Sequence, residues 1–210
     1  MIVYCATTNA GKLKEFRKAA EIAECEVEVV PGLGEIPVPD ETGETFEANA
    51  ILKAEYYGAY LKGLLFADDS GLQVDALGGA PGVHSARYAG GAGDAANNAL
   101  LLKNLAGVEN RTARFVSVIA LVADGRLVRT FRGTVDGRIA TEQSGPHGFG
   151  YDPLFYYEPF GCTFGEADLG RKAHVSHRAN ALKLMFDSFK LDGDVAQLPA
   201  ALDLKHHRIS

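Results

Sequence analysis

Apolar and polar positions in this chain switch repeatedly between a strand-like and a helix-like spacing. Ile2 to Thr7 reads as a strand. From about Lys12 to Ala23, the residues Leu13, Phe16, Ala20 and Ala23 fall on one side of a helix. A second strand is expected at Cys25 to Val30, and Pro31 to Asp40 is rich in turn residues. A further helix is predicted from Thr45 to Lys62, with Thr45 as N-cap and Glu47 favourably charged in the first turn. Ala48, Ile51, Leu52 and Ala59 trace its expected buried face. The apolar run Leu64-Leu65-Phe66-Ala67 is short enough to be a buried strand. Gly93 to Ala106 reads as a helix. Arg114 to Ala123 and Arg126 to Thr134 flank Asp124-Gly125, the strongest hairpin signal in the chain. Ser176 is placed as the N-cap of a last helix, His177 to about Phe189, and the tail from Leu191 to Ser210 carries no signal.

Composition narrows the class. With 210 residues, 47% hydrophobic and 23% charged, the chain can bury one sizeable core, in one body or a two-lobed one. A net charge of -6 does not favour nucleic-acid or membrane-surface binding, and no apolar run approaches a membrane span. Any handling of phosphates requires positive charge focused locally. Cys5, Cys25 and Cys162 show no metal-ligand spacing and read as reduced, mostly buried thiols. The first residues lack a basic stretch of the secretory kind, so the cytoplasm is the expected compartment.

The candidate chemistry lies where these elements meet. Asp68 and Asp69 follow the apolar run at once, then Ser70 and Gly71. Two acids at the end of a buried strand need a positive partner, and a divalent cation is the simplest one. Alone, the same four residues also make an ordinary polar turn. Thr7, Thr8, Asn9, Ala10, Gly11 and Lys12 join the first strand to its helix, an arrangement that attracts anions. A plain strand-to-helix turn has the same composition. A helix from Thr45 to Lys62 is roughly 27 Å long, and a strand packed back against it brings Asp68 and Asp69 toward Glu41, Asn49 and Lys53. Phe149, Gly150, Tyr151 and Asp152 put aromatics on a glycine-bent loop, where a planar ligand could stack. Phe155 and Tyr156 are expected in the core instead. Arg178 in the first turn of a helix calls for an anionic or polar partner, and Lys172 lies nearby.

Five stretches, ATTNAGKLKEF, ETGETFEANAILKA, FADDSGLQVDALGGAPGVHSARYAG, GFGYDP and RKAHVSHR, in this order and spacing, resemble the inosine triphosphate pyrophosphatase family, its bacterial branch above all. The resemblance implies an α/β fold: an elongated mixed twisted sheet flanked by helices, with two lobes and a central cleft, residues 1–210 forming a single domain. It also implies a cytoplasmic homodimer that hydrolyses noncanonical purine nucleoside triphosphates (ITP, dITP, XTP) to the monophosphate and pyrophosphate. By the same resemblance, Mg²⁺ is held by Glu41 and Asp69 with Asp68 behind them, and Asp69 is the general base. Lys12 and Lys53 hold phosphate oxygens, while Asn9 and Ser70 add polar contacts. Lys172 lies close to the nucleotide, residues 149 to 152 form the base platform, and His177 with Arg178 reads the purine edge. Thr8, His84 and His174 depart from the family's usual Gly, Tyr and Asn. Two alternatives stay open at this point: a pyrophosphatase for modified pyrimidine triphosphates, and a non-catalytic nucleotide sensor.

Overall fold

The computed structural model describes residues 2–191, so the tail beyond 191 lies outside the described residues. In chain order the elements are β1 (Ile2–Cys5), α1 (Ala10–Ile22), β2 (Glu26–Val29), α2 (Phe46–Gly58), β3 (Leu64–Val74) and α3 (Asp94–Asn104). Then follow β4 (Thr112–Ala123), β5 (Arg126–Ile139), β6 (Phe155–Tyr157), β7 (Cys162–Thr163), α4 (Leu169–Lys172) and α5 (His177–Leu191). The strands form one mixed sheet in the order β2-β1-β3-β4-β5-β6-β7. β1 runs parallel to β2 and β3, and every later pairing is antiparallel. The expected α/β class with a mixed sheet flanked by helices is therefore observed. The hairpin is too: Asp124 and Gly125 both have positive φ, 50° and 76°, the backbone that a tight primed turn requires.

Side chains alternate across the long strands, and that alternation builds the core. Leu64 and Phe66 face α1 and α5 with Ile119, Leu121 and Phe131. Leu65 and Ala67 face α2 with Val116, Val118, Ala120 and Val122. Farther along β3 to β5, Leu72, Val74, Phe115, Val135 and Ile139 form a third core with Leu101, Phe155 and Phe164. The first and third cores occupy the same face of the sheet by strand parity. Asp68, Ser70, Ser117 and Gly133 lie between them, with Ser70 paired to Ser117 and Ser117 to Gly133. A polar band thus divides one face into two apolar masses.

Three expectations are corrected. β3 does not end at the acids: it continues through Asp68, Asp69, Ser70 and Gly71 to Val74, each residue paired with β4. Turn propensity loses because β4 supplies a backbone partner at every step and charged neighbours satisfy the acids. α2 is shorter than predicted, about 20 Å for its 13 residues, and its buried face is rotated. Phe46, Asn49, Ala50, Lys53, Ala54 and Tyr57 point inward, while Ala48 is exposed and Ala59 lies past the helix end. Apolar periodicity misplaces that face because two of its inward residues are polar. α1 starts two residues early, at Ala10, since Asn9 is its N-cap, the side chain accepting from the Lys12 N–H at 3.0 Å.

Smaller features fall mostly as expected. Phe155 is fully buried, but Tyr156 is only half-buried, with the Arg138 guanidinium 4.1 Å above its ring. Cys5 is buried, Cys25 and Cys162 are half-buried, and all three are free thiols. Among the described residues no helix is long and apolar enough to cross a membrane.

Candidate active site

Because β3 is extended through its two acids, Asp68 and Asp69 point to opposite faces of the sheet. β1 has ended by then, its last pairing being Cys5 with Phe66. The polar segment that follows β1 therefore lies alongside this part of β3. On one face Asp68, 3% exposed, accepts a hydrogen bond from Lys12 Nζ at 2.9 Å, with Arg178 Nε 3.9 Å away. On the other face Asp69 accepts from Asn49 Nδ2 at 3.2 Å and from Lys53 Nζ at 3.3 Å. Lys53 Nζ also donates to Glu41 Oε1 at 2.9 Å. Asn49 Oδ1 accepts from the Gly43 N–H at 2.7 Å, which ties down the segment carrying Glu41.

The electrostatics of the two acids differ accordingly. Burial pushes the Asp68 carboxyl up, but Lys12, Arg178 and Lys53 outweigh it and hold the group below the usual carboxylate range. Burial also pushes Asp69 up, and Glu41 and Asp68 add to that against Lys53 and Lys12, so Asp69 ends above the usual range. Lys53 is raised in turn, because Asp69, Asp68 and Glu41 outweigh its burial. Lys53 gains from three acids, whereas Asp69 shares its two lysines with Glu41 and Asp68.

The three acids expected around a metal are divided between the two faces of the sheet. Glu41 and Asp69 converge on a single ammonium, whereas Asp68 is held by Lys12 on the opposite face. Among the described residues, no group of three His, Cys, Asp or Glu side chains is arranged to hold a metal ion. Mg²⁺ commonly uses one or two carboxylates and completes its shell with water and substrate phosphates. The Glu41–Asp69 pair, with its excess of hard oxygen donors over positive charge, fits that pattern.

The start of α1 is partly committed to its own structure. Thr7 Oγ1 accepts from the Asn9 N–H at 3.2 Å, and Asn9 serves as the cap. The N–H groups of Ala10 and Gly11, in the first helical turn, have no intrahelical acceptor. Thr8, His84 and His174 are exposed, and none of them lines the cavity that Lys12, Phe149 and Arg178 share.

The residues expected to contact the base form a different kind of site. Lys172 Nζ donates to both Glu15 Oε1 and Asp152 Oδ2. Arg178 donates from Nη1 to Glu15 Oε2 and from Nη2 to Ser70 Oγ, both at 2.8 Å. Glu15, Asp152, Lys172 and Arg178 are all buried, at most 6% exposed. Arg178 thus has the anionic partner that its position demands, and it is Glu15. Burial pushes Glu15 up, but Arg178 and Lys172 more than reverse this, and its carboxyl sits below the usual range. Asp152 is raised, burial and Glu15 outweighing Lys172. Asp152 Oδ2 also accepts from the Phe149 N–H at 3.0 Å, so it shapes the loop. The Phe149 ring lies against Gly11, where a Cβ would come within 2.8 Å of it. The Arg178 and Lys172 charges are 5.0 and 5.5 Å from its centre.

Glu15 was not among the residues singled out by sequence. It sits beside Phe16 on the inward side of α1, one turn after Lys12, and a carboxylate on an apolar stripe was the available signal. His177, 1% exposed, stacks on Phe115 with ring centres 4.7 Å apart. Neither of its ring nitrogens has a partner among the described residues, and Arg178 Nε is likewise unpartnered by a hydrogen bond. Burial, reinforced by Arg178, Lys172 and Lys12, holds His177 well below the ordinary histidine value, so its ring is neutral.

A cavity of about 270 Å³ lies on the Asp68 face, lined by Lys12, Ser70, Phe115, Phe149, His177 and Arg178 among others, and Glu41, Lys53 and Asp69 are not part of its lining. It opens over the polar band between the two apolar masses.

Comparison with known proteins gives consistent findings. The model of the Ham1 family matches residues 3–188. A Listeria monocytogenes protein named dITP/XTP pyrophosphatase is 47% identical over 199 residues, covering 93% of this chain and 95% of the relative. Another of that name, from Acidobacterium capsulatum, is 45% identical over 195 residues, covering 88% and 96%. Among solved structures, the Ham1 protein of Staphylococcus aureus matches with a TM-score of 0.79 at 39% identity, covering 92% of this chain and all of that one.

Proposed function

The chain belongs to the Ham1 family, and on that premise we propose that it hydrolyses noncanonical purine nucleoside triphosphates, ITP, dITP and XTP, to the monophosphate and pyrophosphate. The substrate class comes from relatives named dITP/XTP pyrophosphatase. The chemistry rests on one observation: Lys53 lies within 3.3 Å of both Glu41 and Asp69, beside the segment that leads into α1. Residues 1–210 act in this reading as one two-lobed domain with the substrate in the cleft, and the divided sheet face supports that arrangement. A cytoplasmic homodimer completes the proposal, on the strength of the family resemblance.

The roles follow from the groups present. Lys12 and Lys53 hold phosphate oxygens and stabilise charge that develops as the anhydride bond breaks. The free N–H groups of Ala10 and Gly11 add donors at a helix start. Asp69 accepts the proton of the water that attacks the α-phosphorus, a task open to a carboxylate held at the reacting centre. Glu41 and Asp69 would hold Mg²⁺, which when bound neutralises the triphosphate and polarises the phosphoryl group. Asp68 keeps Lys12 oriented from the other face. At the far end the purine stacks on Phe149, and Arg178 and neutral His177 meet its edge with their unpartnered nitrogens.

The test is product analysis. With Mg²⁺, ITP and XTP should give IMP or XMP and pyrophosphate in one step, and excess chelator should abolish turnover. IDP with orthophosphate as first products would mean attack at the γ-phosphorus. Turnover confined to modified pyrimidine triphosphates, or tight binding with none, would replace this reading.

A further inference from the structure

The loop carrying Phe149 is fixed from a side that the ion network does not reach. Asp94 and Asn98 stand four residues apart on α3, on one helix face. The Gly150 N–H donates to Asp94 Oδ2 at 2.7 Å, and Asn98 Nδ2 donates to the Gly150 carbonyl at 2.9 Å. Both polar groups of one backbone residue are therefore held by one helix. Gly150 has φ of +62°, a backbone that resists side chains, so the bend at this point is specific. Asn98 is 2% exposed and its Oδ1 has no partner among the described residues, so it is buried for one bond. Asp94 is exposed and lies at the cavity. A carboxylate there repels an incoming triphosphate, which makes its bond to Gly150 the better account of its use. On the other side of Phe149, Asp152 takes the Phe149 N–H.

We propose that Asp94 and Asn98 are positioning residues for the purine base: from α3 they clamp Gly150 and so fix the plane that the Phe149 ring offers for stacking. This rests on the pyrophosphatase reading above. Neither side chain is bonded to Lys12, Lys53, Glu41 or Asp69, the groups assigned to the phosphates and the attacking water. Loosening the clamp should therefore weaken base binding and spare the chemical step.

The experiment compares steady-state ITP hydrolysis by the wild type, Asp94→Ala, Asn98→Ala, Phe149→Ala and the double variant Asp94→Ala/Phe149→Ala. Inhibition of each by inorganic tripolyphosphate, which has no base, is measured alongside. Each clamp variant should raise KM about tenfold, the loss of roughly 1.4 kcal/mol, with kcat changed less than about threefold. The tripolyphosphate inhibition constant should not move. Asp94→Asn, whose amide oxygen can still accept from Gly150, should return KM close to wild type. In the Phe149→Ala background, Asp94→Ala should change KM by less than about twofold, because the residue it acts through is gone. Additive effects in the double variant, or equal weakening of tripolyphosphate and ITP, would overturn the clamp. Asp94 is exposed, so its variants should fold even where Asn98→Ala does not. A wild type that leaves ITP intact would refute the pyrophosphatase reading and the clamp with it, whereas turnover with additive variants refutes the clamp alone.

Discussion

The two clusters of charged side chains solve opposite electrostatic problems. At the proposed base end, Glu15 and Asp152 face Lys172 and Arg178, two acids against two cations, all buried and mutually paired. At the proposed phosphate end, Glu41, Asp68 and Asp69 share Lys12 and Lys53, three acids against two. The balanced end can be rigid without a ligand. The unbalanced end cannot take a polyanion alone, and it becomes attractive to one only with added positive charge. The difference teaches that neighbouring sets of buried charges need not share one job: one set specifies a shape, the other waits for a partner.

The largest effect that would break this contrast is at Asp69. Asp69→Asn should fold normally and lose about 10²- to 10⁴-fold in kcat, the usual worth of a positioned base, measured by pyrophosphate release. A near-normal rate would move the reactive role to Asp68 or Glu41. At the balanced end the main loss should be in stability. Glu15→Gln leaves Lys172 and Arg178 without their shared carboxylate, and breaking such a buried set costs about 3–5 kcal/mol, read as a lowered Tm. If Glu15→Gln melted like wild type, the set would not be structural.

Base selectivity sharpens the contrast further. A 6-keto purine offers an acceptor where adenine offers an amino donor, and Arg178 can only donate. An unpaired buried donor costs roughly 1–3 kcal/mol. Arg178→Ala should therefore narrow the ITP-over-ATP preference about tenfold, and more than Phe149→Ala does, since stacking does not tell purines apart. Equal loss on both nucleotides would make Arg178 a structural contact alone. The smallest effect is on pH. His177 resists protonation in the fold, whereas the unfolded chain takes up that proton below about pH 6.5. The unfolded state then binds more protons, so His177 makes stability fall as pH drops, by at most about 1.4 kcal/mol per unit. His177→Phe should flatten the fall in Tm between pH 7 and 5.5 relative to wild type, and an unchanged slope would refute the assignment.

Much of this was legible in the amino-acid sequence, and the failures share a cause. The hairpin was readable because Asp124-Gly125 is a local signal needing no tertiary help. β1, β2 and β4 were placed to within two residues, whereas β5 runs five residues past Thr134 and the short β6 and β7 were not anticipated. β3 was cut short and α2 rotated because Asp68, Asp69, Asn49 and Lys53 are polar residues in buried positions, where hydrophobic pattern points the wrong way. The pairing of Lys53 with Glu41 and Asp69 was nonetheless anticipated, since it follows from a helix and strand running back on each other. Glu15 was missed because its partners lie 157 and 163 residues away, a distance that no periodicity spans. The opposite facing of Asp68 and Asp69 was missed because it follows only once both are known to lie inside a strand.

That last feature makes the chemistry depend on parity. One residue inserted in β3 just ahead of Asp68 would send each acid to the other's side, separating Asp69 from Lys53 and Asp68 from Lys12 while leaving the composition intact. Two residues inserted there would restore the sides and shift both acids along the sheet by one pleat. An insertion scan of β3 should therefore read as even or odd before it reads as long or short.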